Sequence, residues 1–432
     1  MKIAILTSGL LPVPATQGGA VEELTDHYVA LNEVTREHAI TIFTCKSRST
    51  ATTSAPSKAN GVSDDATVAP CADTTATTYM RIPMHSLRAR LRRKFRSFTC
   101  CRTHADGINP PVYDYYVNDF YLSCRKLLLR QYWDAIILEN RPGFALDLRK
   151  HTNAKLVLHH HLDNIGSDLP LSADICRSTD AIITASDYLA KRVRSVTDTM
   201  PADSRPSITT VHNGIDVEAF GKAEPACRAD FGLKPSDFVI VYTGRIDPIK
   251  GIRELVQAML LIRGKRQQTP SDSHKQSGHC RLLVVGGSFY GGDFGGNPLF
   301  IQDLRTEAEP LREDIVFTGY VPHHRVASLL KMADLAVLPS TCQEAFALTV
   351  LEAMAAGLPV LTTRSGGVPE TCEGIAHIID QGRGLPQRLA DEITALQAMP
   401  DERRRMSEAG IQRAQHFTHQ AYARAFLDAI AT

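Results

Sequence analysis

Residues 335–357 read Leu335-Ala336-Val337-Leu338-Pro339-Ser340-Thr341-Cys342-Gln343-Glu344-Ala345-Phe346-Ala347-Leu348-Thr349-Val350-Leu351-Glu352-Ala353-Met354-Ala355-Ala356-Gly357. The apolar run Leu335 to Leu338 has the form of a strand buried on both faces. Pro339 stops it, and the Ala/Leu/Met-rich stretch that ends at Gly357 reads as a helix closed by a C-terminal glycine. Glu344 and Glu352 therefore flank a helix N-terminus at the carboxyl end of a strand. At ~1.5 Å rise per residue their spacing would span at most ~12 Å. Between them, free backbone N–H groups at Phe346, Ala347 and Leu348 would face an anion. The bland alternative is a pair of solvated helix-end acids, since a glutamate near a helix start is favourable against the dipole anyway.

Outward from this stretch, short apolar runs alternate with amphipathic segments along the chain. They fall at Ile3 to Leu6, Ile40 to Phe43, Ala135 to Leu138, Lys155 to Leu158, Ala181 to Thr184 and Ile208 to Val211. A second series follows at Phe238 to Tyr242, Leu282 to Val285, Ile315 to Phe317, Leu335 to Leu338 and Val360 to Thr362. Two such series predict an α/β protein of two doubly wound, Rossmann-like parallel-sheet domains. The boundary is expected between the turn Asn213-Gly214 and Lys234-Pro235, giving domains over 1–216 and 217–412. A terminal helix over 413–432 carries Phe417, Tyr422, Phe426 and Ile430 at near-helical spacing. Residues 47–78, rich in Thr, Ala and Ser, read as an exposed insertion, and a polar stretch near 265–279 reads as a surface loop.

A chain of 432 residues, 43% hydrophobic, has room for two full cores. A net charge of +1 argues against nucleic-acid binding through a broad positive field. The ten cysteines show no C-x-x-C pair, which fits reduced thiols in a cytoplasmic protein. No apolar stretch approaches the ~20 residues of a membrane helix. The segment Leu87 to Phe98 is different: Leu87, Leu91, Phe95 and Phe98 share a helical stripe among six Arg and Lys residues. It reads equally as a helix docked on an anionic membrane surface and as a solvated helix with its stripe in the core.

The E-x7-E spacing followed by Glu352-Ala353-Met354-Ala355-Ala356-Gly357 resembles the donor-site motif of family 4 retaining glycosyltransferases of GT-B architecture. That resemblance implies two domains facing a central cleft, with Glu344 at the donor sugar and reacting centre and Glu352 on the ribose. Thr243-Gly244-Arg245-Ile246-Asp247-Pro248-Ile249-Lys250-Gly251 lacks the Walker spacing and is similar to the family element in which Arg245 and Lys250 grip the donor diphosphate. Fixed cations can replace a metal there, and with no D-x-D motif in the chain no metal or other cofactor is expected. By the same resemblance Gly18 and Gly19 lie over the diphosphate and the backbone of Val321 reads the base. Phe346, Ala347 and Leu348 complete the donor set.

The run His159-His160-His161 ends an apolar segment, and alternation puts His159 and His161 on one side. A metal site from these two and Asp163 is geometrically conceivable but lacks an identifiable fourth ligand. The resemblance implies instead that His161, with His159 in reserve, contacts the donor sugar and contributes to catalysis. Ala345 and Ala347 stand where many members carry glycine, and the Gly-rich stretch 289–296 is unusual for the family. Within the family, the segment before the histidines and Glu344-Ala345-Phe346 are similar to lipopolysaccharide-core, capsule and spore-coat enzymes.

The expected activity is retaining transfer of a hexose or N-acetylhexosamine from a nucleotide-sugar, UDP-linked, to a glycan or lipid-linked glycan of the cell envelope. The expected location is the cytoplasm, with peripheral membrane contact through Leu87 to Phe98. The rival readings are a catalytically silent nucleotide-sugar-binding subunit and a sugar-nucleotide epimerase of the same architecture. A nicotinamide-dependent oxidoreductase would need G-x-G-x-x-G after the first strand, and the segment after Leu6 has no such glycines.

Overall fold

The computed structural model describes residues 1–46, 76–84, 91, 111–268, 278–287 and 298–432. The Gly-rich stretch 289–296, most of the 47–78 insertion and all of the basic segment except Leu91 lie outside the described residues. Two parallel sheets organise the rest. The first contains β1 (Lys2–Leu6), β2 (Ala39–Cys45), β3 (Thr77–Ile82), β4 (Ala135–Glu139), β5 (Lys155–His160), β6 (Ala181–Thr184) and β7 (Ser207–Thr210), in the order β3-β2-β1-β4-β5-β6-β7. The second contains β8 (Phe238–Thr243), β9 (Cys280–Val285), β10 (Ile315–Gly319), β11 (Leu335–Leu338), β12 (Val360–Thr363) and β13 (His377–Ile379), in the order β10-β9-β8-β11-β12-β13.

Every residue of β4, β8, β11 and β12 is buried, as a strand with helices on both faces requires. The apolar runs are the strands for that reason. In each sheet the chain order reverses at one place, between β1 and β4 and between β8 and β11. Outside the carboxyl ends of the strands at such a reversal, neighbouring loops diverge and leave a crevice.

Two strands depart from the expected series. β3 begins inside the stretch read as an insertion, at Thr77 and Thr78, and β13 was not expected at all. Both are edge strands. The start of the expected 265–279 loop is also corrected, because the helix Ile252–Gln268 runs into it.

The two lobes are stitched together by the C-terminal helix, His419–Ala431. Ile215 N–H donates to Phe417 O (2.9 Å) and His419 N–H donates to Ile215 O (2.9 Å), so the chain leaves the second lobe beside the linker. The helix then lies on the first helix, Ala20–Thr35, where Phe426 stacks on Tyr28 with ring centroids 4.2 Å apart. Tyr422, Phe426 and Ile430 are buried in the first lobe's core. The aromatic pair adds about 0.5–1.5 kcal/mol beyond its buried area.

Candidate functional site

The β8–β11 reversal assembles a charged group of side chains. β8 runs out into Gly244 and Arg245, then a short turn at Pro248–Lys250, and Gly251 brings that turn against the end of β11. Gly251 has φ of 70°, and a Cβ there would sit 1.8 Å from Pro339 O, so only glycine permits the approach. Lys250 Nζ thereby meets Glu344 Oε1 at 2.6 Å. Glu344 is further held by the Ser340 hydroxyl, and its own N–H donates to Ser365 Oγ at 2.9 Å. Arg245 lies 3.4 Å from Asp247. Beneath them, the Tyr242 hydroxyl donates to Arg245 O at 2.7 Å, and burial, reinforced by the Glu344 charge, raises its pKa.

The helix after β11 covers Leu348–Ala355. It starts later than a reading from Glu344 requires, so the helical rise sets no bound on the separation of Glu344 and Glu352. Leu348 N–H donates to Phe346 O at 3.2 Å and is not the free donor expected of it. The tight turn before the helix consumes it. Phe346 and Ala347 are buried in the core, with the Phe346 ring 5.6 Å from His212 and 5.8 Å from Phe417. Their side chains are therefore structural.

A cleft of about 870 Å³, open solvent included, lies between the lobes. Gly18, Gly19, Ala20 and Glu23 line it from the first lobe; Thr243, Gly244, Arg245, Val321, His323, Leu348, Thr349 and Glu352 are among the second lobe's contributions. Gly19 precedes the first helix with φ of 114°, and a Cβ there would lie 2.3 Å from Glu22 Oε2. Of the expected site residues, Gly18, Gly19, Arg245, Val321, Leu348 and Glu352 share this wall. Lys250, Glu344, Phe346, Ala347 and His161 are not among its lining residues.

Within the wall, Glu352 is 8% exposed and bonded to His323, whose Nε2 lies 2.9 Å from Glu352 Oε1. His323 Nδ1 lies 3.1 Å from Glu23 Oε2 of the opposite lobe. Burial lowers the imidazole pKa, but the bond to Glu352 and the charges of Glu352 and Glu23 outweigh it and push the pKa up to about 9. His323 is a cation at neutral pH, between two acids.

The first lobe's reversal is built differently. Glu139 ends β4, and its carboxylate accepts from the Tyr28 hydroxyl (2.8 Å), lies 3.0 Å from His159 Nδ1 and 3.9 Å from His161 Nε2. The His159 and His161 rings are 4.0 Å apart, on one side as alternation requires. His159 is sealed under the C-terminal helix, 4.6 Å from the Phe426 ring. His161 N–H donates to Asn140 Oδ1 at 3.2 Å. Burial lowers His159 and His160 to about 3 and His161 well below its ordinary value, so all three are neutral. Burial also raises Glu139, against the opposing pull of His161 and Tyr28, and raises Glu22, each to about 7.

Asp163 is not part of this cluster. It accepts from the Tyr188 hydroxyl (2.6 Å) and Arg192 (2.8 Å), and Glu139 occupies the place beside the histidine pair that the sequence reading gave to Asp163. Glu139, Glu23 and His323 were missed by sequence reasoning. Glu139 carried a signal, a charged residue closing an all-apolar strand at its carboxyl edge.

Residues 224–413 match the family model described as Glycosyl transferases group 1. The second lobe is a group 1 glycosyltransferase domain. The whole chain has the GT-B fold of two parallel-sheet lobes. Sucrose-phosphate synthase from Thermosynechococcus elongatus superposes with a TM-score of 0.71 at 20% identity, covering 100% of this chain and 98% of that one. Anabaena Alr3699/HepE, solved in complex with UDP-glucose, gives 0.64 at 16% identity, covering 100% and 99%. In sequence, Spore coat protein SA of Bacillus subtilis is 24% identical over 94% of this chain and 93% of its own length. The lipopolysaccharide 1,2-N-acetylglucosaminetransferase of Salmonella typhimurium is 28% identical over 58% and 59%. The glycosyltransferase domain thus carries the Arg245, Lys250, Glu344 and Glu352 cluster. Among the described residues, no helix is long and apolar enough to cross a membrane.

Proposed function

We propose that this glycosyltransferase moves a hexose or N-acetylhexosamine from a UDP-sugar to a cell-envelope glycan, with retention at the anomeric carbon and without a bound metal. The observation that carries the reading is the grouping of Arg245, the Lys250–Glu344 pair and Glu352 around the ends of β8 and β11, beside a cleft faced by Gly18 and Gly19. A departing nucleoside diphosphate gains negative charge, and cations fixed beforehand lower the barrier to its release. Lys250 leaves Glu344 for the phosphate, which frees the Glu344 carboxylate for a sugar hydroxyl. Arg245 takes the second phosphate, Glu352 holds the ribose, and the backbone of Val321 receives the base.

In this reading His161 supplies the first lobe's contact. It is neutral, so it can accept from or donate to a sugar hydroxyl without a charge that would favour one over the other. The acceptor hydroxyl attacks from the face the phosphate leaves, and a phosphate oxygen takes its proton. The UDP assignment is supported by the UDP-glucose complex of the Anabaena protein. The envelope acceptor is supported by the names of the spore-coat and lipopolysaccharide relatives. Peripheral membrane contact through Leu87 to Phe98 belongs to the same reading.

Incubation with UDP-glucose and UDP-N-acetylglucosamine tests it, with proton NMR of the product and with or without EDTA. The expected result is UDP release dependent on an added glycan, an α-anomer product and no effect of the chelator. A β-anomer, or activity abolished by EDTA and restored by a divalent metal, contradicts it.

A further inference from the structure

The His323 contact spans the cleft, and no family motif in the sequence calls for it. Its two bonds join Glu352 in the second lobe to Glu23 in the first, through one imidazole that lines the cavity. Glu352 has a side chain only 10% exposed, and His323 holds one of its oxygens. In this structure, therefore, the carboxylate assigned to the ribose already has a cationic partner. We propose that His323 is a positioning residue that keeps Glu352 in the cavity wall and ties it to the first lobe through Glu23, and that an entering nucleotide displaces it by giving Glu352 a ribose hydroxyl. The inference rests on the reading of the cleft as a nucleotide site.

The consequence is a proton. Once Glu352 turns to the ribose, the imidazole keeps Glu23 alone, and the bond that did most to hold its proton is gone. Its neighbour Phe220, 5.7 Å from the ring, stands on a helix capped by Asp216, which faces His27 of the first helix. His27 is itself neutral, its pKa pulled by burial down to about 4. Arg245 lines the same cavity, and His324 and Arg325 follow on His323's own helix. A group whose pKa is lower in the bound state than in the free state releases its proton on binding. Affinity then rises with pH up to the free-state value of about 9 and levels off above it.

The experiment is calorimetric titration of UDP into the wild-type protein, His323→Gln and Glu23→Gln. It runs between pH 7 and 9.5 in buffers of different ionisation heat, with each fold checked by circular dichroism. Wild-type affinity should strengthen with pH, by at most about tenfold per unit for one proton, with matching proton release. His323→Gln should bind UDP more tightly than wild type at pH 7 and with a flat profile. Glu23→Gln removes one of the two anions, so its rise should move to lower pH. The same pH profile in His323→Gln as in wild type overturns the proposal, as does weaker binding by His323→Gln throughout, which would make the imidazole a ligand of the nucleotide. A wild-type protein that binds neither UDP nor GDP removes the underlying nucleotide reading as well, which separates the two failures.

Discussion

The two strand reversals, one in each lobe, have opposite electrostatic designs. At β8–β11 acids and bases are paired and partly solvated: Lys250 with Glu344, Arg245 beside Asp247. At β1–β4 they are buried and shifted toward their neutral forms, with the histidines lowered and Glu139 and Glu22 raised by the same cause, burial. In the proposed reading, one lobe offers fixed charge to an ionic leaving group and the other offers hydrogen bonds to a neutral ring. The difference teaches that a shared topology places a site without deciding its chemistry, which follows from how dry each strand end is.

Substitutions on the two sides should therefore fail in different ways. The largest expected effect is on turnover: Lys250→Ala and Glu344→Gln should each lower transfer on the order of 10²–10³-fold, with the urea midpoint nearly unchanged. A variant that keeps near-normal turnover would break the assignment of charge chemistry to this lobe.

The next effect is on stability and its pH dependence. The folded-state pKa of Glu139, about 7, exceeds the ordinary 4.5, so the folded protein binds the extra proton between those values. Its contribution is present at low pH and is lost as pH rises through that window. Glu139→Gln mimics the protonated acid, so its stability relative to wild type should climb from pH 4.5 to 7 and then level. A relative stability that is flat or falls with pH would mean that Glu139 is held as a carboxylate. His159 has the opposite sign: its stabilisation is present above the ordinary 6.5 and is lost as pH falls toward about 3.

A smaller effect belongs to the contact between the lobes. The Glu370 carboxylate accepts N–H groups of Asp187 (2.8 Å) and Tyr188 (2.6 Å) at the start of a first-lobe helix, and His212 Nε2 lies 3.1 Å away. Glu370→Ala should cost about 1 kcal/mol, as the loss of a helix cap does. Chemical denaturation would read it, and a cost below measurement would show that the lobes do not depend on this cap.

The central strands could be read from the chain because strands buried on both faces are written as unbroken apolar runs. β3, Thr77-Thr78-Tyr79-Met80-Arg81-Ile82, escaped because polar and apolar residues mix along it, and β13, His377-Ile378-Ile379, because it is only three residues long. Arg245, Lys250, Glu344 and Glu352 were legible because they sit at fixed offsets from strand ends and resemble a known pattern. Glu23, Glu139 and His323 were not, since their partners come together only through the fold. Tyr28 and Glu139 are 111 residues apart, and His323 and Glu352 are 29 apart. The turn that consumes the Leu348 N–H was likewise hidden, because helix periodicity does not mark which residue begins the helix.

Hydrogen exchange of the wild-type protein, with and without saturating UDP, tests most directly whether the two reversals form one nucleotide cleft. The account predicts slowed exchange at Gly18–Glu23 in the first lobe together with Thr243–Gly251 and Leu348–Glu352 in the second. Slowing confined to one lobe, or to surfaces away from both reversals, would contradict it.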